Sequence, residues 1–151
     1  MYKNFFKPLI GILLSFLGLM VCCIPMIIIA ITIKLDSKGP IMFRQVRLGK
    51  GQRPCRIYKF HTMCDDAFEK GGVVTSADDT RITKVGAVLR RTSLDELPQM
   101  FNILLGQMAI IGPRPILDFE FNPYKNNARF CKRYDVTPGM FCTVDVYDRA
   151  A

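Results

Sequence analysis

An uninterrupted apolar segment near the N-terminus limits what this chain can fold into more than any other feature. From residue 9 to residue 33, 25 consecutive residues carry no charge. As an α-helix they extend about 37 Å, enough to cross a bilayer core of about 30 Å. A secretory signal peptide has a shorter apolar region, typically about 7 to 15 residues, and no convincing small-residue cleavage site follows this one. We therefore predict an uncleaved membrane helix.

The charges on either side of this segment indicate how it sits in the membrane. Basic residues both precede and follow it, namely Lys3, Lys7, Lys34, Lys38, Arg44 and Arg47. Under the positive-inside rule, both ends then belong on the cytoplasmic face. A helix that enters the membrane, bends and leaves by the same face satisfies this rule, and Pro25 offers a place to bend because proline removes a helical hydrogen bond. A kinked helix that spans the bilayer is the alternative.

The charge balance indicates an anionic partner. The formal net charge is +8. Between Asp36 and Asp65 there is no acidic residue, whereas six basic residues stand from position 44 onward: Arg44, Arg47, Lys50, Arg53, Arg56 and Lys59. Directly after a membrane segment, such a cluster favours the anionic lipids of the inner leaflet. No nucleic-acid-binding motif is present, so we expect no nucleic acid partner.

The cysteines and the single histidine do not predict a metal centre. The six cysteines include no Cys-x-x-Cys pair, and two of them lie within the apolar segment. This spacing is typical neither of a zinc site nor of a disulfide framework, so we expect free thiols in a reduced domain that faces the cytoplasm. His61 is the only histidine, and a lone histidine is more often packed or solvated than a ligand.

Two adjacent carboxylates, Asp95 and Glu96, stand within residues 89–98, together with two arginines. Thr92 or Ser93 can act as a helix N-cap, with one of the carboxylates three residues later closing a capping box. The helix that follows is predicted by apolar residues at helical spacing: Leu94, Leu97, Phe101 and Leu104 or Leu105. A capped helix start favours ionised carboxylates and also attracts phosphate groups.

Pro98 and Gly106 affect the start and the end of this predicted helix. Pro98 falls just past the first turn, so we expect that turn to be distorted, and Gly106 is a plausible end. Neighbouring side chains on a helix point about 100° apart, so Asp95 and Glu96 should have different roles, such as a nucleophile and a group that binds metal or handles protons. Taken alone, the stretch also fits an ordinary surface helix with solvated charges.

The rest of the chain predicts a β-hairpin and several short elements. Residues 40–49 and 54–63 are predicted strands around a turn at 50–53. A short helix at 64–70, a polar loop at 71–81 and a short helix at 82–91 with Val85, Val88 and Leu89 facing inward are predicted next. Residues 117–134 are predicted to contain an amphipathic helix that packs on the core, with a helix lying on the membrane as the alternative. A strand is predicted at 140–147.

An arginine between two prolines ends the apolar run at residues 108–115. Pro113 and Pro115 fix the backbone on both sides of Arg114. A guanidinium presented from so rigid a loop is suited to bind a phosphate through two parallel hydrogen bonds. A proline-rich loop with a solvated arginine is the alternative.

These residues resemble the bacterial sugar-transferase family, the small monotopic phosphoglycosyl transferases that begin the assembly of membrane-linked glycans. The resemblance runs from about residue 20 to residue 139. It rests on an apolar segment with a proline, followed by motifs in a specific order: Gly39-Pro40, Phe43-Arg44-Gln45 with Arg47 and Gly49, Tyr58-Lys59-Phe60, Asp79-Thr80-Arg81-Ile82-Thr83, the run 89–99, Gly112-Pro113-Arg114-Pro115 and Pro138-Gly139.

The resemblance implies transfer of a sugar 1-phosphate from a nucleotide sugar, usually a UDP-sugar, to polyprenol phosphate, with release of UMP and a requirement for Mg²⁺. Asp95 matches the nucleophile that forms a covalent phosphosugar intermediate, and it is the metal ligand we expect. Glu96 matches the second member of the dyad, which assists metal or proton handling. The cations expected near the substrate phosphates are Lys59, Arg81, Arg90, Arg91 and Arg114.

The fold class implied is α/β, a small membrane-associated domain with an N-terminal re-entrant helix, a β-hairpin and several short amphipathic helices. Residues 1–35 would form the membrane helix, broken near Pro25, and residues 36–151 a transferase domain on the cytoplasmic face of the bacterial cell membrane.

Three departures from the family pattern are visible. Ile24 stands where the family often has serine, His61 replaces a usual arginine, and the residues after Pro138-Gly139 fit the family poorly. The chain also stops where relatives usually continue. These departures leave an alternative function, a catalytically weak membrane-associated interaction protein derived from the family. No stretch of the sequence specifies which sugar is used.

Overall fold

A computed structural model describes residues 6–64 and 79–142, and its first element is one long helix. Helix α1, Lys7–Asp36, has 30 residues and continues through Pro25. Most of its apolar side chains are exposed, with Val21 and Ile24 more than 70% accessible. By length and composition it could cross a membrane. The prediction of a long apolar N-terminal helix is confirmed, whereas a bend at Pro25 stays a prediction.

The predicted hairpin is also confirmed. Strands β1, Met42–Leu48, and β2, Pro54–Phe60, form an antiparallel two-stranded sheet. The 3-10 turn Lys50–Gln52 joins them, with Gly51 at φ +64° and Gln52 at φ +58°. Two successive residues in the left-handed region reverse the chain within this short connection.

The chain divides into two compact units, which we call the first and the second unit. The first contains residues 1–20, 44–57 and 99–151, and the second contains residues 21–43 and 58–98. The units are defined by packing, whereas the expected boundary between residues 35 and 36 concerns the membrane. That boundary therefore stays a prediction.

In the first unit, helix α3 packs along the start of α1. This helix is Gln99–Leu104. A Cβ added to Gly11 would lie 3.6 Å from the Ile103 side chain, and a Cβ added to Gly18 would lie 3.0 Å from the Met100 side chain. Glycine at both positions lets the two helices approach closely. The core beside them is apolar and consists of Ile57, Ile103 and Met108, with Cys55, Ile110 and Met140 packed against it.

A short parallel sheet continues this unit. Strand β3, Ala109–Ile111, pairs with strand β4, Gly139–Phe141. Between α3 and β3, Gly106 has φ +71° and ends the helix as predicted. Asn102 is fully buried, and its side-chain amide donates to the Arg56 carbonyl and to Gln107 Oε1, at 2.7 Å each.

The prediction of one amphipathic helix within residues 117–134 is wrong. This segment instead forms four short pieces: helix α4, Asp118–Phe121, a 3-10 turn, Asn122–Tyr124, helix α5, Ala128–Cys131, and a second 3-10 turn, Lys132–Asp135. Pro123 lacks the N–H that a continuous helix needs. Asn127 then starts a new helix, because its Oδ1 accepts from Phe130 N at 3.1 Å.

In the second unit, helix α2, Lys84–Thr92, packs on the C-terminal half of α1. The core consists of Ile29, Ile33, Phe60 and Leu89. Val85 packs against it, but Val88 is 51% exposed, so its predicted inward orientation is wrong. With Leu89 buried, Val88 lies about 100° around the helix and faces away from the core.

The start of α2 is held by two acceptors. Thr83 Oγ1 accepts from Gly86 N at 3.0 Å, and Asp36, the last residue of α1, accepts from Val85 N at 2.9 Å. Both satisfy N–H groups that a helix leaves without a partner in its first turn. The predicted helix at 64–70, most of the polar loop, and the predicted strand beyond residue 142 lie outside the described residues.

Candidate functional site

The two adjacent carboxylates lie in a tight turn at the end of α2. The 3-10 turn Leu94–Glu96 follows α2 directly, separated from it only by Ser93 at φ +58°. This left-handed residue ends α2, and its N–H donates to the Arg90 carbonyl. The chain therefore reverses between the arginines and the carboxylates.

The predicted capping box is wrong, although Ser93 does occupy the N-cap position of the turn. Its side chain makes no capping hydrogen bond, because an N-cap residue needs extended backbone angles and Ser93 is left-handed. Thr92 Oγ1 donates back to the Val88 carbonyl at 2.8 Å. The distorted first turn expected from Pro98 is confirmed, since α3 begins only at Gln99.

Lys59 of β2 binds both carboxylates unequally. Its Nζ lies 2.6 Å from Glu96 Oε1 and 3.9 Å from Asp95 Oδ2. All three side chains are largely buried, with exposed fractions between 13% and 19%. Glu96 therefore has a direct charge-assisted hydrogen bond, whereas Asp95 feels the ammonium mainly through its field.

Burial raises the pKa of Asp95, and the adjacent Glu96 charge acts in the same direction. Lys59 and, more weakly, Arg90 oppose this rise. A carboxylate that is partly desolvated but still close to cations is more reactive than a solvated one. The surroundings of Asp95 thus differ from those of a solvated carboxylate, and its role as the nucleophile stays a prediction.

Arg90 is the α2 arginine whose charge acts on Asp95. Its Nε donates to Thr62 Oγ1 at 2.9 Å, and burial lowers the pKa of its guanidinium. Thr62 is 6% exposed, so the bond lies away from solvent. Arg91, by contrast, is exposed on α2. Thr62 was missed by the sequence analysis, because nothing in a strand end marks a residue as the partner of an arginine 28 positions later.

Arg81 forms a buried pair with Asp79. Its Nη2 lies 2.6 Å from Asp79 Oδ2, and its Nε donates to Asp79 Oδ1 at 2.9 Å. Hydrogen bonds from Arg81 lower the pKa of Asp79 from an ordinary 3.8 to about 2. The pair is about 10% exposed. In this structure the Arg81 guanidinium therefore binds a carboxylate, and its contact with a substrate phosphate stays a prediction.

The second unit thus brings together most of the predicted site residues, namely Lys59, Arg81, Arg90, Asp95 and Glu96. Arg114 belongs to the first unit. Its side chain is exposed, in the segment that joins β3 to α4 between Pro113 and Pro115. Pro25 lies in α1 and exposes its side chain.

The donor set suits a magnesium site only together with a substrate. Among residues 6–64 and 79–142, no group of three or more His, Cys, Asp or Glu side chains could hold a metal ion. Mg²⁺ commonly binds one or two carboxylates and completes its octahedron with water and substrate phosphates. Asp95 and Glu96 fit that pattern.

Comparison with known proteins gives a family match and several similar relatives. The family model described as bacterial sugar transferase matches residues 2–151. Over 136 residues, the chain is 40% identical to a UDP-glucose:undecaprenyl-phosphate glucose-1-phosphate transferase of Klebsiella pneumoniae, a match that covers 89% of this chain and 29% of that protein.

Two further relatives carry different names. Over 90 residues the chain is 51% identical to a UDP-N-acetylgalactosamine-undecaprenyl-phosphate N-acetylgalactosaminephosphotransferase of Aeromonas hydrophila, covering 60% of this chain and 21% of that protein. Over 109 residues it is 45% identical to the exopolysaccharide production protein PSS of Rhizobium leguminosarum, covering 72% and 54%. The chain thus spans between about a fifth and just over half of the length of these relatives.

Proposed function

Because the chain belongs to the bacterial sugar transferase family, we propose that it is a phosphoglycosyl transferase. It transfers a sugar 1-phosphate from a nucleotide sugar, a UDP-sugar, to polyprenol phosphate at the cytoplasmic face of the bacterial cell membrane. The observation that supports this best is the partly buried Asp95, which lies beside Lys59 and within the field of Arg90. Names of relatives that include both undecaprenyl phosphate and UDP-sugars also support it.

In the proposed reaction, Asp95 attacks the phosphorus that bears the sugar. A bond forms between its carboxylate oxygen and this phosphorus, and the bond to the bridging oxygen breaks, so UMP leaves with that oxygen and its electron pair. A phosphate oxygen of polyprenol phosphate then attacks the same phosphorus and displaces Asp95. The products are polyprenyl diphosphate sugar and the regenerated carboxylate.

The charges around Asp95 explain how an anion can attack another anion. A carboxylate that approaches a diphosphate is repelled unless cations offset the charge. Lys59 of β2 and Arg90 of α2 supply fixed positive charge close to Asp95, whose side chain is mostly shielded from water, and such charges act more strongly there than in bulk solvent. Mg²⁺, held by Asp95 and Glu96 when bound, would supply further positive charge on the phosphates.

Arg114 is proposed to bind a phosphate of the nucleotide sugar. Its exposed guanidinium stands on a backbone restricted by two prolines, and guanidinium groups bind phosphate oxygens in pairs. Arg91 and Arg81 stay further candidates for such contacts.

The membrane part of the proposal rests on α1. We propose that it enters and leaves the membrane on the cytoplasmic side, with a bend near Pro25, while the basic cluster after it contacts anionic lipids. A site held at the interface meets the head group of polyprenol phosphate while the chain of that lipid stays in the bilayer.

The test is UMP release by the full chain in nanodiscs, with Mg²⁺, undecaprenyl phosphate and a panel of UDP-sugars. Asp95→Asn should lower the rate by at least about 10³-fold, the scale expected when a nucleophile is lost. Asp118→Asn, which changes an exposed carboxylate, serves as the matched control and should retain activity. Full activity of Asp95→Asn would reject the mechanism. No release with any sugar, from folded protein, would favour the weakly catalytic interaction protein instead.

A further inference from the structure

Four consecutive carbonyl oxygens around Arg114 each accept a hydrogen bond from another residue of the first unit, and two of the four donors belong to β1. The Pro113 carbonyl accepts from Gly139 N at 3.0 Å, and the Ile116 carbonyl accepts from Leu48 N at 2.9 Å. Between them, the Arg114 carbonyl accepts from Arg133 Nη2 and the Pro115 carbonyl accepts from Arg47 Nη1, both at 2.7 Å. Every backbone acceptor of this segment is therefore bound.

The two central bonds differ in kind from the outer two. The outer bonds come from backbone N–H groups, as in ordinary strand pairing. The central ones come from guanidinium groups, and charge-assisted hydrogen bonds are shorter and stronger than neutral ones. Because Pro113 and Pro115 already restrict φ, the backbone at Arg114 is held by covalent geometry and by two cations at once.

Arg133 is itself held by a stack of aromatic rings. Its guanidinium carbon lies 4.6 Å from the centroid of the Phe130 ring. The Phe130 ring stacks on that of Tyr124, with centroids 4.4 Å apart and an angle of 18° between the planes. A guanidinium can stack on a ring and donate in its own plane at the same time, which a lysine ammonium does less well. The stack thus aims Arg133 at the Arg114 carbonyl.

We propose that Arg133 is a positioning residue that presets Arg114 for binding the diphosphate of a nucleotide. The bond from Arg133 ends on the carbonyl of Arg114 itself, so it fixes the peptide from which the exposed side chain projects. A preset cation loses less conformational freedom when it binds an anion. This inference rests on the proposed role of Arg114 in the transferase, and it assigns a function to the aromatic stack of Tyr124 and Phe130.

The experiment is a double-mutant cycle on UDP binding, measured by calorimetry with the full chain in nanodiscs. Arg133→Met removes the donor but keeps an apolar stem over the ring. It should weaken UDP binding about tenfold, whereas Arg133→Lys should recover part of the loss. In an Arg114→Ala background, Arg133→Met should change the affinity less than about twofold, because the residue then has nothing to position.

Arg129→Met is the control, since Arg129 is an exposed arginine on α5, the short helix that carries Phe130 and precedes Arg133. It should bind UDP as the unmodified chain does, and the melting temperatures of all variants should be compared to exclude unfolding. An equal loss from Arg133→Met in both backgrounds would overturn the inference, as would no loss at all. UDP binding is measured without turnover. A failure of UMP release would therefore reject the transferase, whereas the effect of Arg133 on UDP binding would still test this inference.

Discussion

At the scale of single residues, two neighbouring carboxylates acquire different properties from their surroundings. Glu96 is hydrogen-bonded to Lys59, whereas Asp95 lies 1.3 Å farther from the same ammonium (3.9 against 2.6 Å). Burial raises the pKa of Asp95. The difference arises from one position along a 3-10 turn, which directs the two side chains differently. This asymmetry is what a nucleophile and an assisting carboxylate need.

Removing Lys59 should move the acid side of the pH–rate profile. Lys59 opposes the rise in the pKa of Asp95, so Lys59→Met should raise this pKa further. Activity that requires ionised Asp95 would then be lost at a higher pH as the pH falls. We also expect about 10²-fold lower activity at neutral pH, since a preorganised cation is gone. The measurement is kcat/KM for UMP release as a function of pH.

Lys59→Arg is the matched variant for that test, because it keeps the positive charge. Its acid limb should lie close to that of the unmodified chain. If the acid limb of Lys59→Met also stays in place, Asp95 is not the group that titrates in the profile.

Asp79 should stabilise the fold in a defined pH range. Its pKa falls from 3.8 to about 2 on folding, so its pairing with Arg81 contributes stability that is fully present above about pH 4 and is lost as the pH falls towards 2. Asp79→Asn should therefore lower the melting temperature at pH 6, and the difference from the unmodified chain should shrink below pH 4. Asp135→Asn, which changes an exposed carboxylate in the same way, is the comparison variant. A constant difference at all pH values would contradict this assignment.

At the scale of elements, α2 determines where the site residues lie. Thr83 caps its start, Asp36 of α1 accepts a hydrogen bond from its first turn, and Ser93 caps its end just before the carboxylates. Gly86 lets the helix lie directly on the chain after β2, because a Cβ at this position would collide with the backbone carbonyl of Thr62. The same Thr62 binds Arg90 one helical turn later, so close packing and the placement of the arginine depend on each other.

Gly86→Ala should therefore destabilise the protein, although alanine normally favours a helix interior by about 0.5 to 1 kcal/mol over glycine. The added Cβ would force the helix away from Thr62, at a cost of about 1 to 3 kcal/mol. Chemical denaturation of the two proteins measures the difference. Ala87→Gly, at the neighbouring exposed position, is the comparison and should show only the propensity cost of about 1 kcal/mol. A stabilised Gly86→Ala would show that the close approach is absent.

At the scale of the whole molecule, a long exposed apolar helix is combined with an excess of positive charge. Helix α1 presents apolar side chains along most of its length, and the net charge is +8. Exposed apolar surface of this extent marks a surface that meets a membrane or another apolar partner, and the charge is attracted by anionic lipid head groups. Both features support membrane association.

The topology proposed for α1 predicts that both chain ends face the cytoplasm. In a Lys3→Cys variant, a membrane-impermeant maleimide added outside intact cells should therefore give no labelling above that of the unmodified chain, and labelling should appear after the cells are opened. Labelling of intact cells at residue 3 would instead establish a spanning helix. A cysteine at Lys38, on the other side of α1, serves as the companion site and should behave in the same way.

Features that depend on local chemistry could be predicted from the order of the residues alone. The long helix follows from 25 uncharged residues, the hairpin from apolar runs around a turn, the end of α3 from Gly106, and the carboxylate pair from adjacent residues in a specific motif. These depend on backbone propensities and on neighbours within a few positions, which the order of residues displays directly.

Contacts between side chains that are far apart in the chain became visible only in the folded structure. Thr62 binds Arg90 and Arg133 binds the Arg114 carbonyl, and no local pattern marks such pairs. The break of residues 117–134 at Pro123, by contrast, has a local cause. The tertiary structure did overturn the capping box, because the left-handed Ser93 ends one helix before the next can be capped. There the backbone path outweighed a local preference worth about 1 kcal/mol.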